Sequence, residues 1–256
     1  MHTPKVAFVT GATSGFGAAI AKRLVSHGIA VIAAGRRHHL LLELQKQLGD
    51  LVHPLVLDVR DRRQVFEAIE GLPHGFTEVD LLVNNAGLAL GLEAAQNAHL
   101  DDWDEMIDIN CKGLTYCTRA ILPGMLQRNS GHIINMGSIA ADFPYPGGNV
   151  YGATKAFVQQ FSFNLRADLL GTPIRVTALE PGLCSGTEFS LVRFRGDSSR
   201  ASAVYENVRA LTAEDIAEAV YWTATLPPHM NVNRMQLMPV QQAFGPLAID
   251  RSLTLP

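Results

Sequence analysis

Short apolar runs alternate along the chain with longer segments in which apolar positions recur every three or four residues. The short runs are apolar at nearly every position, which indicates strands buried on both faces, as in a parallel sheet covered by helices. The longer segments have the period of amphipathic helices. Seven strands are predicted in this way: Val6–Thr10, Ala30–Ala34, Val52–Leu57, Leu81–Val83, Gly131–Asn135, Ile174–Leu179 and Arg234–Met238.

The helical segments lie between these strands, and this alternation is typical of the α/β class. We therefore predict a single doubly wound, Rossmann-type parallel sheet of about seven strands with helices on both faces. The predicted helices are Ala18–His27, Leu40–Leu48, Asp102–Gln127, Val150–Leu170 and Ala213–Thr225.

The chain is expected to form one domain. Its 256 residues suit one large α/β domain better than two small ones, and no linker or change of composition divides residues 1–256. Residues 182–211 differ from the rest because they are rich in Ser, Arg and Gly and contain no clear strand. We predict that this segment is a partly helical insertion that covers the active site.

Composition excludes several classes of partner. The formal net charge is −3 and the sequence pI is about 6.3, which argues against nucleic acid or an anionic membrane as a partner. No apolar stretch approaches the roughly 18 residues that span a bilayer. The start of the chain carries no apolar signal core with a cleavage site. These observations favour a cytoplasmic protein.

Cysteine and histidine positions predict no metal site. The three cysteines, Cys111, Cys117 and Cys184, lack the CxxC spacing of metal sites and are most simply reduced, buried thiols. The adjacent pair His38-His39 would diverge on a helix, so it does not form a ligand pair.

A glycine-rich turn follows the first predicted strand and opens a helix. Within it, Gly11 permits the tight turn, Gly15 allows backbone to approach a phosphate, and Gly17 allows close packing of helix on sheet. Amides at the helix N-terminus would face a pyrophosphate. The residues predicted to form this phosphate site are Gly11, Thr13, Ser14, Gly15, Phe16 and Gly17.

Two arginines follow the second strand. An NAD enzyme usually has an acidic residue there for the ribose 2′-hydroxyl, whereas this chain has Arg36 and Arg37. We expect that no carboxylate competes for this arginine pair. Guanidinium groups pair well with a 2′-phosphate, so the pattern favours NADP(H) over NAD(H). Solvated arginines at a helix start are the weaker interpretation, because cations there oppose the helix dipole.

The third strand ends at Asp58-Val59. Asp58 is placed to contact the edge of a cofactor adenine beside Val59. An alternative is that Asp58 caps the N-terminus of the helix that follows.

Ser138, Tyr151 and Lys155 supply the parts for proton transfer. Positions i and i+4 share one face of a helix, so the ammonium of Lys155 is expected near the phenol of Tyr151. A neighbouring cation lowers the pKa of a phenol, which otherwise is about 10. Ser138 offers a neutral donor for a carbonyl or alkoxide oxygen. Tyr-x-x-x-Lys alone is a weak motif, and the surrounding motifs decide its meaning.

With these residues, the chain resembles the short-chain dehydrogenase/reductases over essentially its full length. The resemblance also includes Asn84-Asn85-Ala86-Gly87 after the fourth strand, Asn110 within Asp-Ile-Asn, and Pro181-Gly182. It implies that Tyr151 is the general acid and base, and that Lys155 activates it and anchors the ribose. It also implies that Ser138 binds the substrate oxygen, and that Asn110 holds a water that links Lys155 to solvent.

The resemblance extends to the cofactor and the assembly. It implies that the cofactor is NADP(H) and that Asn85, Ala86 and Gly87 line its ribose. It also implies that the long helices at 102–127 and 150–170 form the interface of a homotetramer. The residues implied to cover the nicotinamide are Pro181, Gly182, Leu183, Thr187 and Phe189.

Within this family, the sequence motifs are most similar to those of the NADP-dependent 3-hydroxy acid dehydrogenases. The runs that carry this similarity are 85–90, 147–155, 180–183 and 186–189. That group oxidises serine and allo-threonine and reduces malonic semialdehyde. The NADPH-dependent sulfoacetaldehyde reductases share much of the pattern, and Leu247–Arg251 is similar to their ending. A small hydroxy acid or aldehyde acid substrate is therefore expected, with a sulfonate as the alternative.

A substrate anion needs a cationic partner. Arg193 is the first choice because it closely follows the Thr187–Phe189 segment, and Arg195, Arg200 and Arg251 are the other candidates. For each of these, a solvated surface charge is the simpler interpretation. Two further functions are weighed, a reductase for large acyl-carrier, steroid or sugar substrates and a regulator that binds NADPH without catalysis.

Overall fold

The computed structural model describes residues 3–245. Seven parallel strands form one sheet in the order β3-β2-β1-β4-β5-β6-β7, which confirms the predicted doubly wound architecture. In chain order, β1 to β7 are Val6–Thr10, Ala30–Gly35, Val52–Val56, Leu81–Asn84, His132–Met136, Arg175–Pro181 and Arg234–Leu237.

Helices pack on both faces of this sheet. The described residues form nine α-helices, together with a π-helical segment, Asp108–Gly113, which joins the fourth to the fifth. In chain order, α1 to α9 are Gly15–Val25, His38–Leu48, Arg62–Glu70, Leu100–Ile107, Leu114–Arg128, Asn149–Asp168, Phe189–Arg193, Ser198–Ala203 and Ala213–Ala224.

The continuous apolar pattern of the strands arises because both faces are buried. Side chains of successive strand residues point to opposite faces, so Ala7 and Val9 of β1 pack with α1, α2 and α9. Val6 and Phe8 of the same strand pack with α3, α5 and α6 on the other side. All five residues of β1 are buried.

Two predicted helices differ from the structure. The helix α1 begins at Gly15, three residues before the predicted Ala18, because glycines that look like loop residues form its first turn. The predicted helix at 102–127 is interrupted by the π-helical segment, in which each backbone bond spans one residue more than in an α-helix. Such segments are frequent at functional sites, and Asn110 lies within this one.

The N-terminus of helix α3 shows which aspartate caps it. Its N-cap is Asp61, whose side chain accepts a hydrogen bond from the backbone N–H of Gln64 at 3.0 Å. The alternative interpretation of Asp58 as the cap of this helix is therefore wrong.

The sheet places its sites at one edge. Strand order reverses between β1 and β4, and in such sheets ligands bind at the carboxyl ends beside the reversal. The glycine-rich turn follows β1, Asn85 follows β4, and Ser138 lies just beyond β5. No helix within residues 3–245 is both long and apolar enough to cross a membrane.

Candidate active site

A cavity of about 870 Å³ opens at the carboxyl edge of the sheet. It brings together residues that are far apart in the sequence, and only Gly17 and Asn110 of the predicted site residues do not line it. The predicted residues on its wall are Gly11, Thr13, Ser14, Gly15, Phe16, Arg36, Arg37, Asp58, Val59, Asn85, Ala86, Gly87, Ser138, Tyr151, Lys155, Pro181, Gly182, Leu183, Thr187, Phe189 and Arg193.

The glycine-rich turn has the conformation that its sequence predicts. Gly11 and Gly15 have φ angles of +67° and +51°, in the left-handed region where a side chain is strained. A Cβ atom on Gly17 would overlap the carbonyl oxygen of Gly11. This close approach places the N-terminus of α1 against the cavity wall, where its amides favour a phosphate.

Asn85 fastens this turn to the end of β4. Its Nδ2 donates to the carbonyl oxygens of Thr10, at 2.8 Å, and Gly11, at 3.3 Å. The Thr10 hydroxyl accepts in return from the backbone N–H groups of Asn85 and Ala86. The Asn85 amide nitrogen therefore holds the shape of the turn, while the residue lines the cavity.

The two predicted phosphate-binding arginines have different surroundings. Arg37 donates to the Thr13 hydroxyl from Nε at 3.2 Å and to the Ser14 hydroxyl from Nη2 at 2.7 Å. Its Nη1 and Nη2 also bind the carboxylate of Glu188 at 3.1 and 2.9 Å. The expectation that no carboxylate competes for the arginine pair is therefore wrong in three dimensions. Arg36 is about half exposed, with Nη1 4.0 Å from Glu105.

Asp58 lies on the cavity wall and is held by Arg60, a residue that sequence reasoning missed. The Arg60 Nε and Nη2 donate to Asp58 at 3.0 and 2.6 Å, and this pairing lowers the pKa of Asp58. The short i to i+2 spacing gives no periodic signal in a sequence. Asp58 is therefore a fixed anion beside Val59 at the expected adenine end of the cavity.

Tyr151, Ser138 and Lys155 are brought together and are nearly buried, with exposures of 7%, 9% and 6%. Burial raises the pKa of Tyr151 to about 12, although a hydrogen bond with Ser138 and the charge of Arg193 act in the opposite direction. The expected lowering of this pKa by Lys155 is not found, and burial dominates. At neutral pH the phenol therefore carries its proton.

Lys155 is held by the backbone of β5. Its Nζ donates to the carbonyl oxygen of Met136 at 2.9 Å and lies 5.8 Å from the centroid of the Tyr151 ring. Burial lowers the pKa of Lys155 to about 8. The ammonium is therefore positioned between the sheet and the phenol, with its proton readily lost in mildly basic solution.

The Asn110 side chain hydrogen-bonds to other protein groups and does not line the cavity. Its Nδ2 donates to the Leu88 carbonyl at 2.9 Å and the Thr154 hydroxyl at 3.0 Å, and its Oδ1 accepts from the Leu88 backbone at 2.9 Å. Both amide hydrogens are thus used. A water that links Asn110 to Lys155 would bind either the backbone carbonyl of Asn110 or the remaining lone pair of its Oδ1.

The segment at 182–211 contains the short helices α7 and α8, and its first part lines one side of the cavity. Phe189 meets the ring of Tyr151 edge-on, with 5.8 Å between ring centroids. The side chain of Thr187 lies 3.3 Å from the position that a Cβ on Gly15 would occupy. The segment therefore contacts both the phenol and the glycine-rich turn.

Of the candidate arginines, Arg193 is the one that the structure places at the phenol. Its guanidinium carbon lies 5.6 Å from the centroid of the Tyr151 ring. Nε donates to the Gly91 carbonyl at 3.1 Å and Nη2 to the Tyr145 hydroxyl at 2.9 Å. Arg195 instead pairs with an aspartate and Arg200 lies over a phenylalanine ring. Arg251 lies outside the described residues.

Thiol and metal chemistry find little support around this cavity. Burial raises the pKa of Cys184, which lines the cavity, to about 12, and that of Cys111 to about 11. Both thiols are therefore protonated at neutral pH and are poor nucleophiles. In the part of the chain from 3 to 245, His, Cys, Asp and Glu form no group of three that could hold a metal ion.

A buried carboxylate ties the elements of the site together. Glu180 is fully buried and accepts from Arg234 at 2.6 Å and Gln159 at 3.1 Å. Burial raises the pKa of Glu180, and hydrogen bonds from Gln159 and Gln236 oppose that change. Arg234 also pairs with Asp142, four residues after Ser138. The network thus joins β6, β7, α6 and the segment that carries Ser138.

Replacing Arg234 by Ala is expected to destabilise the protein by about 2–3 kcal/mol, because the buried carboxylate of Glu180 loses its cation. Urea denaturation at a fixed protein concentration measures the change. Lys46→Ala, on the exposed face of α2, is the matched control and is expected to change stability by less than about 0.5 kcal/mol. Equal stability of the two variants would show that Arg234 does not stabilise this network.

Comparison with known proteins shows the family to which this chain belongs. A family model described as short chain dehydrogenase matches residues 5–195. The chain is 59% identical over 247 residues to the NADP-dependent 3-hydroxy acid dehydrogenase YdfG of Salmonella typhi, covering 96% of this chain and all of that protein. It is 50% identical to sulfoacetaldehyde reductase 2 of Chromohalobacter salexigens, covering 96% and 98%.

Among solved structures, the closed form of serine dehydrogenase complexed with NADP⁺ superimposes with a TM-score of 0.95 at 56% identity, covering 96% of this chain and 99% of that one. The resemblance inferred from the motifs is thereby confirmed. The chain belongs to the short-chain dehydrogenase family.

Proposed function

We propose that this enzyme uses NADP(H) to interconvert a small 3-hydroxy acid and its carbonyl form. Serine, allo-threonine and 3-hydroxypropionate are the proposed alcohols, and malonic semialdehyde is a proposed carbonyl substrate. The observation that carries this proposal is the guanidinium of Arg193, 5.6 Å from the centroid of the Tyr151 ring in the same cavity. A cation at that distance suits a substrate whose anion lies a few bonds from the reacting oxygen.

The cofactor would lie along the carboxyl edge of the sheet. The N-terminus of α1 with Gly15 offers amides to the pyrophosphate, and the arginine pair offers guanidinium groups to a 2′-phosphate. Asp58 and Val59 would hold the adenine, and Asn85 to Gly87 would line the ribose. Pro181 to Phe189 would cover the nicotinamide. When bound, the cofactor supplies or accepts the hydride.

Tyr151 is proposed to move the proton. Its pKa of about 12 keeps the phenol protonated at neutral pH, so Tyr151 is ready to donate to a carbonyl oxygen that becomes an alkoxide. Ser138 binds the same oxygen and so holds it within reach of the phenol. The nearby ammonium of Lys155 stabilises the phenolate that remains. The oxidative direction reverses each of these transfers.

Arg193 is proposed to bind the substrate carboxylate. Its Nε and Nη2 are held by Gly91 and Tyr145, which fixes the plane of the guanidinium. The other N–H groups are then oriented for a planar anion, which arginine binds with two parallel hydrogen bonds. Pre-organisation of this kind reduces the entropy lost when a small substrate binds.

A sulfonate substrate is the second candidate. The same guanidinium can donate hydrogen bonds to a sulfonate, and a sulfoacetaldehyde reductase is 50% identical to this chain. The hydroxy acid group ranks first because the similarity to YdfG is higher, at 59% identity. Initial rates with NADPH and either malonic semialdehyde or sulfoacetaldehyde distinguish them. A higher kcat/KM for sulfoacetaldehyde would reverse this ranking.

The experiment that tests the proposal as a whole is a substrate panel with both cofactors. It includes L-serine, L-allo-threonine and 3-hydroxypropionate with NADP⁺, and the two aldehyde acids with NADPH. Bulky ketones, such as a steroid or an acyl-carrier substrate, test for a reductase of large substrates. Turnover of none of these compounds, despite tight NADPH binding, would favour a regulator that binds NADPH without catalysis.

Arg36→Ala is expected to lower the preference for NADPH over NADH by about tenfold, because a charged hydrogen bond to the 2′-phosphate contributes about 1.5 kcal/mol. Quenching of protein fluorescence measures the Kd of each cofactor. Lys22→Ala on α1 is the control for a lost surface cation. A parallel loss of NADH affinity would show that Arg36 acts on fold or groove shape and does not bind the phosphate.

We also propose a homotetramer assembled through the long helices. Phe157 and Phe163 of α6 and Leu126 of α5 have exposures of 41%, 36% and 40%. Apolar side chains of this size are often covered by a second subunit. Light scattering on the purified protein measures the mass, and a monomer would contradict the proposal.

A further inference from the structure

The carboxylate of Glu188 binds the guanidinium of Arg37 with two parallel hydrogen bonds. Nη1 donates to Oε1 at 3.1 Å and Nη2 to Oε2 at 2.9 Å. The pKa of Glu188 is lowered, chiefly by Arg37 and also by the nearby Ser14 hydroxyl. Glu188 is therefore an anion at neutral pH, held by a guanidinium at the phosphate-binding end of the cavity.

The groups that hold Glu188 are the ones on which the proposed cofactor's 2′-phosphate depends. Arg37 donates from Nε and Nη2 to the Thr13 and Ser14 hydroxyls and from Nη1 and Nη2 to Glu188. Arginine binds carboxylate and phosphate in this same bidentate geometry. A 2′-phosphate on Arg37 must therefore displace Glu188 or share the guanidinium with it, as a second anion at close range.

Glu188 is also part of the segment that covers the cavity. Its neighbour Thr187 packs against Gly15, and its other neighbour Phe189 packs against Tyr151. The ion pair with Arg37 therefore joins the covering segment to the end of β2, across 151 residues of sequence. Its two side chains are 39% and 49% exposed, so solvent screens the pair and exchange of its partner costs little.

Building on the proposed use of NADP(H), we propose that Glu188 is a specificity-determining residue that competes with the cofactor's 2′-phosphate for Arg37. A phosphate carries more charge than a carboxylate, so it displaces Glu188 from the guanidinium. The carboxylate nevertheless lowers the affinity for 2′-phosphorylated cofactors below what the arginine pair alone would give. An NAD(H) molecule has no 2′-phosphate, so the Arg37–Glu188 pair stays intact in its presence.

The test uses two fragments without nicotinamide, 2′,5′-ADP and 5′-AMP, titrated calorimetrically into the full-length protein. Glu188→Gln keeps the size of the side chain and removes its charge. We expect this variant to bind 2′,5′-ADP about threefold to tenfold more tightly than the wild type, with the Kd for 5′-AMP unchanged. Glu206→Gln, an exposed glutamate of the same segment, is the matched control and should change neither Kd.

Two outcomes would overturn this inference while the proposed cofactor stands. In both, the wild type prefers 2′,5′-ADP. If Glu188→Gln then binds 2′,5′-ADP no more tightly, Glu188 does not compete for the guanidinium. If it binds both fragments more weakly, Glu188 serves as a clamp on the adenosine. Failure of the proposed cofactor gives a different result, because neither the wild type nor Glu188→Gln would then distinguish the two fragments.

Discussion

Tyr151→Phe is expected to lower kcat by about 10²–10⁴-fold, the range that a positioned general acid contributes. Phenylalanine keeps the ring and its edge-on contact with Phe189 but has no proton to give. Tyr151 is 7% exposed, so bulk water cannot easily replace the lost hydroxyl. Steady-state oxidation of NADPH with malonic semialdehyde measures the effect.

Cofactor binding separates a chemical role of Tyr151 from a structural one. We expect Tyr151→Phe to bind NADPH with a Kd within about threefold of the wild type, because the amides and guanidinium groups at the other end of the cavity carry most of that affinity. The control variant is Tyr116→Phe, which removes the hydroxyl from a partly buried tyrosine ring on α5. If Tyr151→Phe keeps the turnover of Tyr116→Phe, Tyr151 does not move the proton.

The pKa of Tyr151 differs from the value that its sequence context predicts. A sequence with lysine four residues after tyrosine predicts a lowered phenol pKa, yet burial raises it to about 12. Burial also lowers the pKa of Lys155, to about 8, so at neutral pH this side chain still mostly carries its charge beside the phenol. A neutral phenol can donate a proton to an alkoxide, and the phenolate that this leaves can accept one in the reverse direction, so the pKa does not set the direction of the reaction.

The sheet could be predicted from the sequence because each strand carries its own signal. Apolar runs such as Val6–Thr10 are buried on both faces, so the pattern needs no knowledge of the partner strands. The bounds of helix α3, which follows Asp58, could not be predicted for the opposite reason, since Arg62–Glu70 is mostly polar and buries only Val65. The π-helical segment was missed because no local residue pattern specifies it.

Most of the candidate site was predictable for a related reason. The glycine-rich turn and the tyrosine–lysine pair are local motifs whose chemistry is set by spacing. The partners of the arginines are not local. Glu188 meets Arg37 from 151 positions away, and Gly91 meets Arg193 from 102, so only the folded chain shows which charges are paired. This is why local motifs predict the residues at the glycine-rich end of the cavity more completely than the charge pairs of its arginines.

Arg193→Ala is expected to lower kcat/KM for malonic semialdehyde by about 10- to 100-fold, the loss of one or two charged hydrogen bonds to the carboxylate. The same variant should reduce propanal, which has the aldehyde but no carboxylate, at close to the wild-type rate. The comparison works because the two substrates share the reacting carbonyl. A fall in kcat/KM for malonic semialdehyde without a fall for propanal therefore reports the loss of carboxylate binding.

Arg195→Ala is the matched control, since Arg195 lies two residues away in the same segment and pairs with Asp102 at 2.6 Å. It should leave kcat/KM for both substrates nearly unchanged. Arg193 also holds Gly91 and Tyr145, so its loss could loosen the covering segment. Equal losses for malonic semialdehyde and propanal would mean that Arg193 shapes the cavity. The substrate anion would then need another cation, and the preference for an acid would rest on a different part of the cavity.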